Sequence, residues 1–453
     1  MIRFIIALFA VLALSACKED GPTVSNEASP GGLEYTLVHM SGHQDVTIRV
    51  AWPTDWTYRE GVNETAPIVG TQLILAGGAE GYPAGVAGER FADLNSEGHL
   101  VSTTDHAMGV LIFEKIHMDE TIEIANAHIR APVFDEVWFN RIRDGISRNM
   151  AEARSHPAHR GYDAVRWAVL GNHPLRRSLS LDEPRAFENL VRDDVVHWHA
   201  ETITRSPDSI VIAGEVSAEQ AGAAIDALFE DLPGKSREIN RHVVPDFAPR
   251  RILLHIPDSE TANLAFIAPL PPTRLGHEEE DILVVSALGG DEESVLFEAV
   301  RTGLRASYSF SAGIDSFSRE HRLLFMAGAV ETSKLTAAEK TVSEAYTAFL
   351  EEGLPGDLDA LKAPILSIIE ENQSFVDTLS AAVIQSNLDG HDPREALELD
   401  ERMGSVTSET VRERLDASYP SADDFIVIAV SSDADALPGA CVISHPIDAA
   451  DCL

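Results

Sequence analysis

Val191-Arg-Asp-Asp-Val-Val196, a turn at Pro207 and Ile210-Val-Ile-Ala213 return later in the chain as Val406-Thr-Ser-Glu-Thr-Val411, a turn at Pro420 and Ile426-Val-Ile-Ala429. Each set reads as an acid-capped helix, a turn and a buried strand of β-branched residues. One shared tetrapeptide of common strand composition carries little weight. The ordered set of helix, turn and strand points to an internal duplication. Between the two sets lies a Pro- and Arg-rich stretch, Pro233 to Arg251, with little apolar periodicity. It is expected to link an N-terminal domain, 33–232, to a C-terminal one, 252–453, each of about 200 residues and able to hold its own core.

The other segments mix both periods. Val46 to Trp52 alternates as a strand does, and so do Tyr308, Phe310, Ala312 and Ile314. Leu323 to Val330 is a further apolar run. Ser217-Ala-Glu-Gln220 is a capping box, after which Ala221, Ile225, Leu228 and Leu232 share a helix face. Thr336-Ala-Ala-Glu339 reads as another, opening a helix with Val342, Tyr346 and Phe349 inward and Gly353 as its left-handed cap. The fold class expected is α+β, with a sheet and packed helices in each half.

The first sixteen residues read as an export signal. Arg3 gives a positive start, and Ile5 to Leu14 is an apolar run too short to span a bilayer. It ends in Leu14-Ser15-Ala16-Cys17, which resembles the bacterial lipobox, whose cysteine is lipidated and becomes the new N-terminus. The alternative is an ordinary cleaved signal with an incidental cysteine. Lys18 after Cys17 resembles outer-membrane sorting. Residues 17–32, polar and rich in Gly, Pro and Ser, read as the lipidated start and a flexible tether. The expected location is the periplasm, with the membrane reached through lipid alone.

The chain has 453 residues and a formal net charge of −38. Such a surface repels phosphate backbones, so nucleic acid is not expected as a partner. It suits cationic peptides, and it equally suits plain solubility. Cys441 and Cys452 are left once Cys17 is lipidated. In an oxidising compartment they could form one small structural disulfide near the C-terminus.

Taken in order, several segments resemble the pitrilysin/insulinase metallopeptidase family. They are Gly171-Asn-His-Pro174, Leu190-Val-Arg-Asp-Asp194, Ser206 to Val216, and Leu228-Phe-Glu-Asp-Leu-Pro233 in the first half. In the second they are Leu296-Phe-Glu-Ala-Val-Arg-Thr-Gly-Leu-Arg-Ala-Ser-Tyr308, Glu351-Glu-Gly353 and Leu361-Lys362. Val169 departs from the aromatic often found there. The resemblance implies two homologous α+β domains that form one half of a clamshell, the other half coming from another chain.

It also implies a zinc site of the inverted form H-x-x-E-H. Two imidazoles four residues apart on one helix face bind the metal, and the Glu takes a proton from bound water. The corresponding segment here is Ala66-Pro-Ile-Val-Gly-Thr-Gln-Leu-Ile-Leu-Ala-Gly-Gly78. One register offers Val69, Gln72 and Leu73; another offers Gln72, Leu75 and Ala76. Neither holds an imidazole or a carboxylate. Glu152 stands about where a distal ligand belongs, though one acid on a helix is usually a solvated side chain. The pairs His39/His43, His156/His159 and His197/His199 read as turn, helix-start and opposite-face residues. No cofactor is expected in this chain, and zinc is expected in its partner. No G-x-S-x-G elbow or Walker glycine loop is present.

Arg301 and Tyr308 are seven residues apart, as the family's arginine–tyrosine pair is. The resemblance implies that they project toward a partner's zinc site and donate hydrogen bonds to substrate backbone and to the oxyanion. The structural alternative makes Arg301 a helix C-terminal cation and Tyr308 a strand aromatic. Two functions follow. One is the zinc-free subunit of a two-chain peptidase, with a homologous zinc-binding chain as partner and peptides as substrate. The other is a non-catalytic peptide-binding or scaffold protein of the envelope.

Overall fold

The computed structural model of the chain describes residues 21–179, 184–234, 238–241 and 247–452. The export signal 1–16 and Cys17 lie outside these residues, as do parts of the 233–251 stretch. Twelve strands are present among them: β1 (Thr23–Ala28), β2 (Glu34–His39), β3 (Asp45–Pro53), β4 (Glu97–Ser102), β5 (His106–Glu114), β6 (Ser209–Gly214), β7 (Arg250–His255), β8 (Ala262–Leu270), β9 (Ser307–Ser318), β10 (His321–Val330), β11 (Ile426–Ser431) and β12 (Cys441–Ile443). They form two six-stranded sheets, in the orders β1-β2-β6-β3-β5-β4 and β12-β7-β11-β8-β10-β9.

The duplication is visible in these orders. From the second position inward the two sheets match strand for strand. In both, the strand carrying the Ile-Val-Ile-Ala sequence lies parallel to one neighbour and antiparallel to the other. Both strands are central in their sheets and carry an apolar layer on each face, which is why β6 and β11 are buried along their whole length. The observed fold is the α+β fold of two similar units expected from the sequence.

Three expectations are corrected here. Residues 23–28 do not belong to a flexible tether. They pair with β2 in antiparallel register from Thr23↔His39 to Ala28↔Glu34. Val24 packs on the apolar layer beneath, and the Thr36 hydroxyl donates to Asn26 Oδ1 at 3.1 Å. An edge strand has a wet face, so its composition looks like that of a loop. The second correction concerns Thr336 to Glu339. The helix starts two residues earlier, at Leu335, with Lys334 as its N-cap. The Thr336 hydroxyl donates instead to Ala436 O at 2.7 Å, and Glu339 accepts two bonds from Arg251. Arg250 and Arg251 themselves open β7, so the connecting stretch is shorter than 233–251.

Period-2 alternation gives each sheet two apolar faces. In the first sheet, Val46, Ile48, Val50 and Trp52 face helices of their own half, including Ala66–Ala76 and Met118–Arg130. Val38, Met40, Ala51, Val211 and Ala213 face the other way. They are covered by Val376, Leu379, Val383 and Ile384 of the helix Val376–Asp389, which belongs to the second half. Arg49 pins that helix through Ser380 at 2.9 Å and Asp377 at 2.5 Å. The second sheet receives a helix in return. Val165, Trp167 and Ala168 of Pro157–Leu170 pack on Ile252, Leu254, Ile428 and Val430. Gly161 allows the approach, since a Cβ there would lie 2.7 Å from the Val430 methyl. Each fully buried aliphatic side chain contributes roughly 1.5–3 kcal/mol. The two sequence halves therefore hold each other together by exchanging one covering helix each.

Cys441 and Cys452 form a disulfide with Cα atoms 5.8 Å apart. It ties β12 to the turn that packs on the Pro157–Leu170 helix.

Candidate functional site: an inter-sheet cleft and the zinc-helix position

The β4–β5 turn of the first sheet meets the β9–β10 turn of the second. The Thr104 hydroxyl donates to Phe317 O at 2.8 Å. Asp105, almost fully buried, accepts the backbone N–H of Arg319 at 2.7 Å and the Tyr58 hydroxyl at 3.1 Å. The Arg241 Nε lies 3.1 Å from the same carboxylate. Burial beside Asp105 pushes the Tyr58 hydroxyl well up, so it stays a donor. Arg319 then reaches Asp389 at 2.5 Å and Gln385 at 2.6 Å on the exchanged helix.

Above this junction opens a cleft of about 710 Å³, lined by Ile68, Met108, Glu278, Ile282, Phe317 and Arg319 among others. The ends of β4 and β9 border it, and each is the last strand of its sheet. Both therefore keep one row of backbone N–H and C=O groups outside the sheet ladder, a template that an extended peptide can pair with. Desolvation at the cleft rim and the neighbouring Glu279 raise the carboxyl of Glu278, a residue that still reaches solvent.

The zinc-helix position is the helix Ala66–Ala76. Val69 and Leu73 are fully buried in the first core, and Gln72 is exposed. Gly70 lets Trp198 lie across the helix, since a Cβ there would be 2.5 Å from its ring. In the first register the two imidazole positions are thus part of the hydrophobic core, and in the second Gln72 is exposed and Leu75 and Ala76 are half-buried; neither register supplies an imidazole or a carboxylate, so these residues do not fit a zinc ion. Glu152 is exposed on the helix Glu136–Ala153. Among the described residues there is no group of three or more His, Cys, Asp or Glu that could hold a metal.

The paired histidines stand apart in role. His39 bonds Val216 O at 3.1 Å beside a turn in which Gly42 has φ +82°. His156 precedes the helix that Pro157 opens. His197 reaches Glu201 at 2.8 Å in solvent, whereas His199 is buried against Ile129 O at 2.8 Å. His128 is fully buried and bonds Ile124 O at 2.7 Å.

Burial lowers the pKa of both His128 and His199, partly offset by those backbone bonds. Both are neutral in the fold, while the unfolded chain binds their protons below about pH 6.5. Their stabilisation is complete above that pH and is lost as pH falls toward the folded values. The melting temperature should be level above about pH 7 and should fall toward pH 5, each histidine contributing at most about 1.4 kcal/mol per pH unit. His199→Gln should flatten the slope, and an unchanged slope would count against this account.

Arg301 is exposed in the last turn of the π-helical segment Phe297–Gly303. Gly289 closes the preceding helix, Glu278–Gly289, against β9, where a Cβ would lie 2.1 Å from Ala312 N. Tyr308 is in β9, beside an irregularity between Gly328 and Val330 of β10. The two residues bracket the entry to the second sheet's edge strand. Asp105 and Arg319 carried no sequence signal, since each is a single charge in a polar turn.

Residues 189–362 match the family model described as the peptidase M16 inactive domain. No curated protein matches by sequence. Among solved structures, the peptidase M16 inactive domain from Pseudomonas fluorescens has TM-score 0.79 and 14% identity, over 90% of this chain and 98% of that one. A protease from Helicobacter pylori has TM-score 0.75 and 12% identity, over 91% and 100%. The periplasmic protease PqqL from Escherichia coli has TM-score 0.69 and 14% identity, over 94% of this chain and 50% of that one. The likenesses in structure show the fold, and against PqqL this chain amounts to one half.

Proposed function

We propose that this chain, which matches the peptidase M16 inactive-domain model over residues 189–362 and shares the fold of such a domain over 90% of its length, is of the pitrilysin/insulinase kind and is the zinc-free subunit of a two-chain peptidase of the cell envelope. The observation that carries this reading is the Ala66–Ala76 helix. Neither register of H-x-x-E-H on it supplies an imidazole or a carboxylate, while the cleft and the two open sheet edges remain. A homologous chain bearing H-x-x-E-H would bind zinc and supply the other half of the chamber. This chain would hold the peptide along an edge strand and present Arg301 and Tyr308 as donors to the oxyanion. PqqL, twice as long, is a periplasmic protease, which supports the reading that this chain too works in the periplasm, anchored through Cys17. The rival scaffold reading keeps the cleft and needs neither donor.

Co-purification from native membranes, with identification of the companion chain, tests the proposal. The chain purified alone should contain no stoichiometric zinc and cleave no peptide. Metal analysis finding about one tightly held zinc per chain would overturn it, and a companion with no H-x-x-E-H would favour the scaffold.

A further inference from the structure

We infer that the lipid anchor holds the molecule upright, with one defined end of the first sheet against the bilayer and the cleft pointing away. This rests on the anchoring of Cys17 proposed above. Thr23, the first residue of β1, stands six residues after Cys17. A fully extended chain of that length spans about 20 Å at most. The pairing of residues 23–28 with β2 is what shortens the tether.

The register fixes which end is held. Thr23 pairs with His39, and His39 with Gly214. Beside them lie the His39–Asp45 turn, the segment after β5 and Glu215 after β6; the Lys115 N–H donates to Gln44 O at 2.8 Å and the Gly42 N–H to Glu215 Oε2 at 3.0 Å. Ile116 projects from this end with 73% of its surface exposed, the second most exposed large apolar side chain among the described residues. Lys115 is outnumbered there by Asp45, Glu114 and Glu215, so charge does not draw this end to lipid. The covalent tether does, and Ile116 is the side chain suited to the headgroup boundary.

The same strands place the cleft. β3 runs from Asp45 at the membrane end to Pro53, which pairs with His106 at the inter-sheet junction. Eight steps along a strand are about 27 Å. The cleft thus faces away from the membrane, open to a soluble or tethered partner.

The test uses the full-length lipidated chain in vesicles of phosphatidylethanolamine and phosphatidylglycerol that carry headgroup spin labels. Nitroxides are placed by His43→Cys in the turn and by Val101→Cys in β4. Val101 pairs with Met108, and Met108 with Ala51, so it sits six strand steps, about 20 Å, from Asp45. The label at 43 should lie about 20 Å nearer the lipid labels than that at 101. A Gly/Ser insertion of about 20 residues after Asp20 should abolish the difference while leaving the protein membrane-bound. Equal distances in acylated protein, or a difference that survives the insertion, overturn the inference alone. Mass spectrometry finding no acyl group on Cys17, or a Cys17→Ser variant that still fractionates with vesicles, overturns the anchor and the inference together.

Discussion

Tyr308→Phe should lower the peptidase activity of the assembled two-chain complex by about a hundred- to a thousandfold, the usual consequence of removing one preorganised oxyanion donor. Arg301→Ala should do the same. A guanidinium and a phenol are donors that a developing negative charge can use without moving. Tyr308→Phe is the sharper change, because it deletes one hydroxyl and keeps the ring. An aromatic needed only for packing would tolerate it. The loss should fall mainly on kcat, with KM little changed, since the donors meet charge that exists only in the transition state. The complex must be shown intact by gel filtration, because lost assembly mimics lost catalysis. Wild-type turnover for both variants in an intact complex would leave the scaffold reading ahead.

Sequence carried the repeated parts of this molecule well, since repetition and periodicity are local. Ile210–Ala213 and Ile426–Ala429 announced two buried strands, and Ser217 with Gln220 announced a helix start that the side chains do cap. The lack of paired imidazoles around Gln72 was plain from spelling alone. What stayed hidden depends on distant neighbours. Val376, Leu379 and Val383 show a helix face but not the sheet it covers, and that sheet belongs to the other half. Thr23–Ala28 becomes a strand because β2 is beside it. The Thr336 box fails because Ala436 and Arg251 compete for its side chains. Asp105 matters only where three segments converge on it.

Asp281 is the extreme case of such convergence, and replacing it should be the most damaging single change to stability. Its side chain is fully buried in the Glu278–Gly289 helix. Arg414 holds it through two bonds, of 2.9 and 2.8 Å, Arg322 reaches it at 3.0 Å, and the Tyr419 hydroxyl donates at 3.1 Å. Both arginines are themselves almost wholly buried. Trp198 and Arg414 are each the seventh residue of their helices, Arg192–Thr202 and Ser408–Ser418. The first half therefore sets an indole over Gly70 where the second uses an ion cluster. Asp281→Ala would leave two guanidinium groups in the interior without their anion. The cost expected is about 3–5 kcal/mol, read as a lower denaturant midpoint. Breaking the exposed pair Arg274–Glu320 should leave the midpoint almost unchanged, since solvent screens it. The triple change Asp281→Leu, Arg322→Met and Arg414→Met should recover most of the loss, since apolar packing replaces buried ion clusters well. If Asp281→Ala costs no more than the exposed pair, solvent reaches this cluster and the account of the second core is wrong. Recovery in the triple variant would show that the cluster selects which helices meet, while the apolar layers around it supply the stability.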